Sequence, residues 1–193
     1  MASLRLFIAV RCPQAVVAAV AAWQAELRAE PGVGAAFRWV APSAFHLTLR
    51  FLGEMEENRA GSAEAAVRAA VAGRPGFSVA LQGGGAFPRP SAARVIWAGV
   101  ANPRDGLADL AAAVEDACDA QDLGRADRPF SPHLTVARAR AAGSPADVAD
   151  ALGRAAGREF GTWGVGEVEL IHSTLTPAGP IYRTRLTGSL AER

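Results

Sequence analysis

Apolar positions along the chain switch between two periods, and the switches mark out its elements. Leu4 to Val10 is a run of aliphatic and aromatic residues stopped by Cys12-Pro13, which predicts a strand. Pro13 opens a helix, since a first turn has no use for the missing N–H, and Val16, Val20, Trp23 and Leu27 stack on one face of it until Pro31-Gly32. Phe37 to Val40 predicts a short strand, and Pro42-Ser43 a turn into Phe45 to Gly53, where apolar and polar residues alternate and Gly53 closes the strand. The alanine-rich run from Asn58 to Ala72 predicts a second helix, ended by Gly73 and Pro75. Phe77 to Leu81 and Arg94 to Val100 predict strands, the latter anchored by Trp97. Between them Gly83-Gly84-Gly85 fits neither a Walker loop nor a dinucleotide fingerprint and predicts a bulge or tight bend.

Asn102-Pro103 then starts a helix that buries Leu107, Leu110, Val114 and Cys118 and stops at Gly124. A second alternating strand spans His133 to Arg138 after Pro129-Phe130-Ser131-Pro132. Ser144-Pro145-Ala146-Asp147 opens a last helix in capping-box style, and Val165 to Leu175 and Ile181 to Thr187 read as closing strands. The order of helix, strands and alternating motif occurs twice. It predicts an α+β protein built by duplication: a single domain over residues 1–193, with two pseudo-twofold lobes and mainly antiparallel sheets flanked by helices around a central cleft.

The two alternating strands share a frame, His46-Leu47-Thr48-Leu49 and His133-Leu134-Thr135-Val136. Alternate side chains share a face, so each strand buries an aliphatic pair and presents an imidazole beside a hydroxyl. One such strand would be satisfied by a structural histidine. Two matched frames in a chain with only 3 histidines argue instead for one shared site. Facing imidazoles can hold opposite protonation states near neutral pH, one as acid and one as base. The hydroxyls suit the non-bridging oxygens of a phosphoryl group. The third histidine, in His172-Ser173-Thr174-Leu175, has only strand-like sequence after it and reads as structural or peripheral.

Composition narrows the chemistry further. A formal charge of +1 over 193 residues argues against a broad grip on a nucleic-acid backbone, although a local arginine cluster stays open. All 20 basic side chains are arginine, which excludes a P-loop lysine, a Schiff base and a lysyl-adenylate. Cys12 and Cys118 are far apart and read as small apolar residues. The N-terminal apolar run is too short to span a membrane and lacks a signal-peptide layout, so a cytoplasmic protein without membrane contact is expected.

The chain resembles the two-histidine phosphoesterase superfamily, defined by paired His-x-Thr-x motifs. More narrowly it is similar to the RNA 2′,3′-cyclic phosphodiesterases long called 2′-5′ RNA ligases. The likeness rests on Arg5-Leu6-Phe7-Ile8-Ala9, His46 to Gly53, Pro132 to Arg138, Leu170 to Leu175 and Gly179-Pro180-Ile181-Tyr182. It implies hydrolysis of a terminal 2′,3′-cyclic phosphate to a 2′-phosphate, with no metal or other cofactor. His46 would be the proton donor, His133 the acceptor, and Thr48 and Thr135 the phosphate holders. Arg138 would add charge, and Phe7 is a candidate for stacking on a base. Arg138 lies an odd number of residues from His133, so a bulge, the strand's end or the reach of its side chain must bring it to the site. Arg50, Arg89 and Arg94 read as surface charges that could guide an RNA. The expected partner is an RNA bearing a 2′,3′-cyclic phosphate end, or a small cyclic nucleotide, bound by a monomer. Two other readings use the same residues: an RNA-end or nucleotide-binding module without turnover, and a 2′-5′ RNA ligase running the reaction in the sealing direction.

Overall fold

The first apolar run forms β1 (Ser3–Arg11), and both of its faces are covered. Leu6, Ile8 and Val10 enter the main core, while Phe7 and Ala9 join Ile171 and Tyr182 on the other side. The computed structural model describes residues 3–102, 106–140, 148–177 and 179–192. After β1 come α1 (Gln14–Ala29), β2 (Phe37–Trp39), β3 (His46–Glu56), α2 (Ala60–Val71), β4 (Phe77–Phe87), β5 (Val95–Val100), α3 (Leu107–Ala120), β6 (His133–Ala139), α4 (Ala149–Gly153), β7 (Glu159–Val165), β8 (Glu167–Thr176) and β9 (Gly179–Ser189). The spacings named the buried faces of the helices: α1 buries Val16, Val20, Trp23 and Leu27, and α3 buries Leu107, Leu110, Val114 and Cys118. Among the described residues no helix is long and apolar enough to cross a membrane.

Four elements differ from expectation. β4 does not end at Leu81 but continues through the glycine run to Phe87. β3 does not stop at Gly53 but runs on to Glu56. Gly53, at φ +77°, sits where the register steps from Leu6↔Gly53 to Phe7↔Phe51, so it serves a bulge and not an end. β7 is an added strand that two glycines, Gly161 and Gly164, hide from an alternation test. α3 is described from Leu107, after Gly106; Pro103 and the 144–147 capping box lie outside the described residues.

The strands follow the order β7-β4-β5-β6-β3-β1-β8-β9, with β2 alongside β6. Each of these pairings is antiparallel. The order is a palindrome in structure: β6-β5-β4-β7 on one side mirrors β3-β1-β8-β9 on the other. The two expected sheets meet edge to edge through one residue pair, Leu47↔Leu134, and a local twofold axis there exchanges His46 with His133 and Thr48 with Thr135. The halves are not sequential, because β8 and β9 return to the first motif's side. The helices cross over as well. α2 and α3 lie against each other and against β3, β8 and β9, while α1 packs on β7 and α4 on β4.

The duplication extends to single residues. β1 meets β3 as Arg11↔His46, Val10↔Leu47, Ala9↔Thr48, Ile8↔Arg50 and Phe7↔Phe51. β5 meets β6 as Gly99↔His133, Ala98↔Leu134, Trp97↔Thr135, Ile96↔Ala137 and Val95↔Arg138. Both motif strands therefore carry a one-residue bulge at the same place, Leu49 in β3 and Val136 in β6. The carbonyl of Val136 accepts from the buried Gln24 side chain of α1 at 3.0 Å, which pins the second bulge to the helix layer.

The glycine run in β4 does hold a register step, between Leu81 and Gly84. It also meets two indoles: a Cβ on Gly84 would lie 2.5 Å from Trp23, and one on Gly85 would lie 2.2 Å from Trp97. Gly84→Ala is expected to cost about 1–3 kcal/mol through overpacking. Gly61→Ala, on α2 with nothing within 4 Å of the new methyl, is expected to gain up to about 1 kcal/mol. Urea midpoints of the two variants should move in opposite directions, and equal shifts would contradict this packing.

Candidate active site

The second residue before each histidine sets the ring. His46 Nδ1 donates to the Ala44 carbonyl at 2.7 Å, and His133 Nδ1 donates to the Ser131 carbonyl, also at 2.7 Å. A carbonyl can only accept, so Nδ1 carries the proton in both rings and Nε2 is left for exchange with a substrate. Each carbonyl belongs to the second residue after a proline that stands four residues ahead of the histidine, Pro42 or Pro129. Ala44 ends a short 3-10 helix, Pro42–Ala44, whereas Ser131 lies in irregular backbone just before β6.

The concave face of the sheet encloses a cavity of about 1000 Å³. His46, Thr48, Thr135 and Arg138 line it together. His133 stands beside this wall on β6, two residues before Thr135, and its charge is felt at His46. Its ring sits edge-on to Phe87 at 5.1 Å and 6.5 Å from Trp97. His46 is held in a similar way, 4.8 Å from Phe7 and edge-on to Tyr182 at 5.6 Å. The bulge at Val136 settles the parity problem of Arg138. The extra residue turns Arg138 to the face of Thr135, and its guanidinium reaches the Thr135 hydroxyl at 3.5 Å.

Electrostatics favour an anion here. The lining includes Arg5, Arg38, Arg138 and Arg140 and no carboxylate. Among the described residues, Arg38, Arg138 and Arg140 have no ion-pair partner. A second cleft of about 730 Å³ is instead acidic, with Glu167, Glu169 and Glu192 around one arginine, Arg11, that Glu169 already holds at 2.9 Å. A phosphate would enter the first cavity and be repelled by the second.

Burial pushes His46 down to about 4, helped by the charges of Arg11, Arg138 and His133, while its bond to the Ala44 carbonyl works the other way. His133 is also lowered, mainly by burial and then by Arg138, against its bond to Ser131. Burial therefore favours the neutral form of both rings at pH 7. Burial likewise raises the Cys12 thiol to about 12 and the Cys118 thiol to about 11, so neither is a reactive nucleophile.

The remaining sequence candidates fall in different places. Phe7 is in the wall but 3% exposed, its ring packed on His46 and Tyr182. His172 lies on the face of β8 opposite Ser173, and it is Ser173 that lines the cavity. Arg50 is no surface charge: it is 6% exposed and bound to Glu115 and to the Gly124 carbonyl. Arg89 and Arg94 are exposed and outside the lining. Tyr182, Phe51, Arg38 and Arg140 were not singled out in the sequence. Aligning the two motif copies would have found Phe51, which occupies the place of Arg138.

The family model of the 2′-5′ RNA ligase superfamily matches residues 13–176. The chain belongs to this superfamily. A relative from Archaeoglobus fulgidus, named RNA 2′,3′-cyclic phosphodiesterase, is 36% identical over 93% of this chain and 97% of its own length. One of the same name from Methanothermobacter thermautotrophicus is 36% identical over 75% of this chain and 78% of its own. Among solved structures, the Thermus thermophilus protein TT0787 superposes with a TM-score of 0.78 at 30% identity, covering 96% of this chain and 97% of that one. Escherichia coli LigT with 3′-AMP gives 0.76 at 28% identity, covering 98% and 99%. The superfamily that the paired His-x-Thr frames suggested is thus the one to which the chain belongs.

Proposed function

We propose that the protein is a metal-independent RNA 2′,3′-cyclic phosphodiesterase that opens a terminal 2′,3′-cyclic phosphate to a 2′-phosphate. The observation that carries this reading is the joint placement of His46, Thr48, Thr135 and Arg138 on one carboxylate-free cavity, with His133 beside them and related to His46 by the local twofold axis. The relatives' shared name supports it. In the reaction His133 takes a proton from water as its oxygen bonds to phosphorus. The bond to the 3′ oxygen breaks, and His46 gives that oxygen its proton. A 2′-phosphate and a 3′-hydroxyl result. Thr48 and Thr135 hold the non-bridging oxygens, and Arg138 stabilises the charge that grows on them. The relatives' name and two free cysteines, Cys12 and Cys118, support placing the enzyme in the cytoplasm, and the proposal takes it to act as a monomer.

His46 must be protonated to act, yet burial lowers its pKa to about 4. The substrate itself corrects this. A unit negative charge at about 4 Å in an effective dielectric near 20 contributes about 4 kcal/mol, or about three pK units, enough to bring His46 back to neutral pH. The free protein should therefore show His46 titrating near 4 by imidazole NMR, and inorganic phosphate should raise the midpoint. The acid limb of the rate profile belongs to protonation of His133 and the alkaline limb to deprotonation of His46. Since kcat/KM reports the free enzyme, its maximum should lie below pH 6.5, with the alkaline limb of kcat shifted upward. A free-protein His46 midpoint at or above 6.5 would contradict this picture.

The test of the function is turnover of an RNA oligonucleotide ending in a 2′,3′-cyclic phosphate in the presence of EDTA. Conversion to the 2′-phosphate is expected. Tight binding without conversion would make the protein a binding module instead.

A further inference from the structure

The face that α1 buries carries a glutamine among its apolar residues: Gln24, four positions after Val20 and three before Leu27. A buried amide must find partners. The Gln24 Nε2 group donates to the Val40 carbonyl at 2.8 Å and to the Val136 carbonyl at 3.0 Å. Carbonyls only accept, so these two partners fix which way the amide points. Val136 is the bulged residue of β6, and Val40 directly follows β2. The Val40 N–H also donates to the Val136 carbonyl at 3.0 Å, so one side chain closes the junction of the two strands. That junction has charges to hold. Arg38 of β2 stands directly opposite Arg138 of β6, and both line the cavity without an ion-pair partner among the described residues. Like charges directly opposite each other on a sheet repel. Arg138 reaches the Thr135 hydroxyl because the bulge turns it to that face, and the carbonyl of the bulge is the one that Gln24 holds.

We propose that Gln24 is a positioning residue for the reaction: by clamping the Val136 bulge to the end of β2, it keeps the Arg138 guanidinium aimed at the phosphate against the repulsion of Arg38. This rests on the phosphodiesterase reading of the cavity. Gln24 belongs to the helix layer and is not part of the cavity lining, so it touches neither substrate nor proton and acts through Arg138. Negative charge on the non-bridging oxygens is greater in the transition state than in the bound cyclic diester. A misdirected Arg138 therefore lowers kcat more than it raises KM.

The experiment is a double-variant cycle on adenosine 2′,3′-cyclic phosphate. Gln24→Met keeps the length and bulk of the side chain and removes both donors. It should lower kcat about tenfold while KM changes less than about twofold. In an Arg138→Ala background the same substitution should change kcat less than about twofold, because the group it positions is gone. An equal drop in both backgrounds, or no drop in either, overturns the proposal. Gln24→Asn keeps the donors but withdraws them by one methylene, and it carries the same cycle if circular dichroism shows Gln24→Met to be unfolded. Adenosine 2′-phosphate, a monoester with more negative charge than the cyclic diester, separates the clamp from the chemistry. If wild type turns over no cyclic phosphate, yet Gln24→Met weakens this ligand only while Arg138 is present, the phosphodiesterase reading fails and the clamp stands. If the ligand is weakened equally in both backgrounds, or in neither, the clamp fails as well.

Discussion

Replacing His46 or His133 with alanine is expected to lower kcat on a 2′,3′-cyclic phosphate by at least about 10²-fold, with the protein still folded. In the proposed reaction each imidazole does half of one proton relay, so removing either would leave water to supply or accept the proton unaided. The double variant should be little slower than the slower single one, because the residual rate then comes from binding and from Thr48, Thr135 and Arg138 alone. Stability should not confuse the result. Both rings are partly open to solvent, and among the described residues each makes a single hydrogen bond, to a backbone carbonyl outside the strands. Single-turnover rates at saturating substrate would check this. Loss of activity in only one of the two variants would refute the paired relay.

The second large effect concerns Arg50, which lies between the two motifs. Its guanidinium is bound by Glu115 of α3 at 2.6 Å and reaches the Gly124 carbonyl at 3.1 Å, and Glu115 also accepts from the backbone N–H of Ala126. The network ties the first motif strand to the segment that leads into the second. Glu115→Ala would leave a buried cation without its counter-charge and is expected to cost about 3–5 kcal/mol in urea unfolding. Arg50→Met removes the charge and keeps much of the packing volume, so it should cost less. If Arg50→Met proves the more damaging, the buried charge is not the main factor.

The core was legible where periodicity is strong. The faces of α1 and α3 were named residue by residue, because a 3.6-residue repeat survives any tertiary arrangement. The shared His-x-Thr frames pointed to one cavity for the same kind of reason, a period of two on a half-buried strand. Bulges broke that period. Nothing in Leu49 or Val136 marks them as unpaired, so Phe51 went unnoticed and the direction of Arg138 stayed open. Arg50 was misread because a buried arginine is visible only through its partner, and Glu115 lies 65 residues away. β7 was hidden by its glycines, and the return of β8 and β9 to the first half is a matter of topology that local pattern does not record.

For the proposed reaction both imidazoles must serve one phosphorus atom. A crystal structure with adenosine 2′-phosphate bound tests this most directly. It should show the phosphate within hydrogen-bond distance of Nε2 of both His46 and His133, with Thr48 and Thr135 on its non-bridging oxygens. A phosphate held by only one of the rings, or seated in the acidic cleft around Glu167, would contradict it.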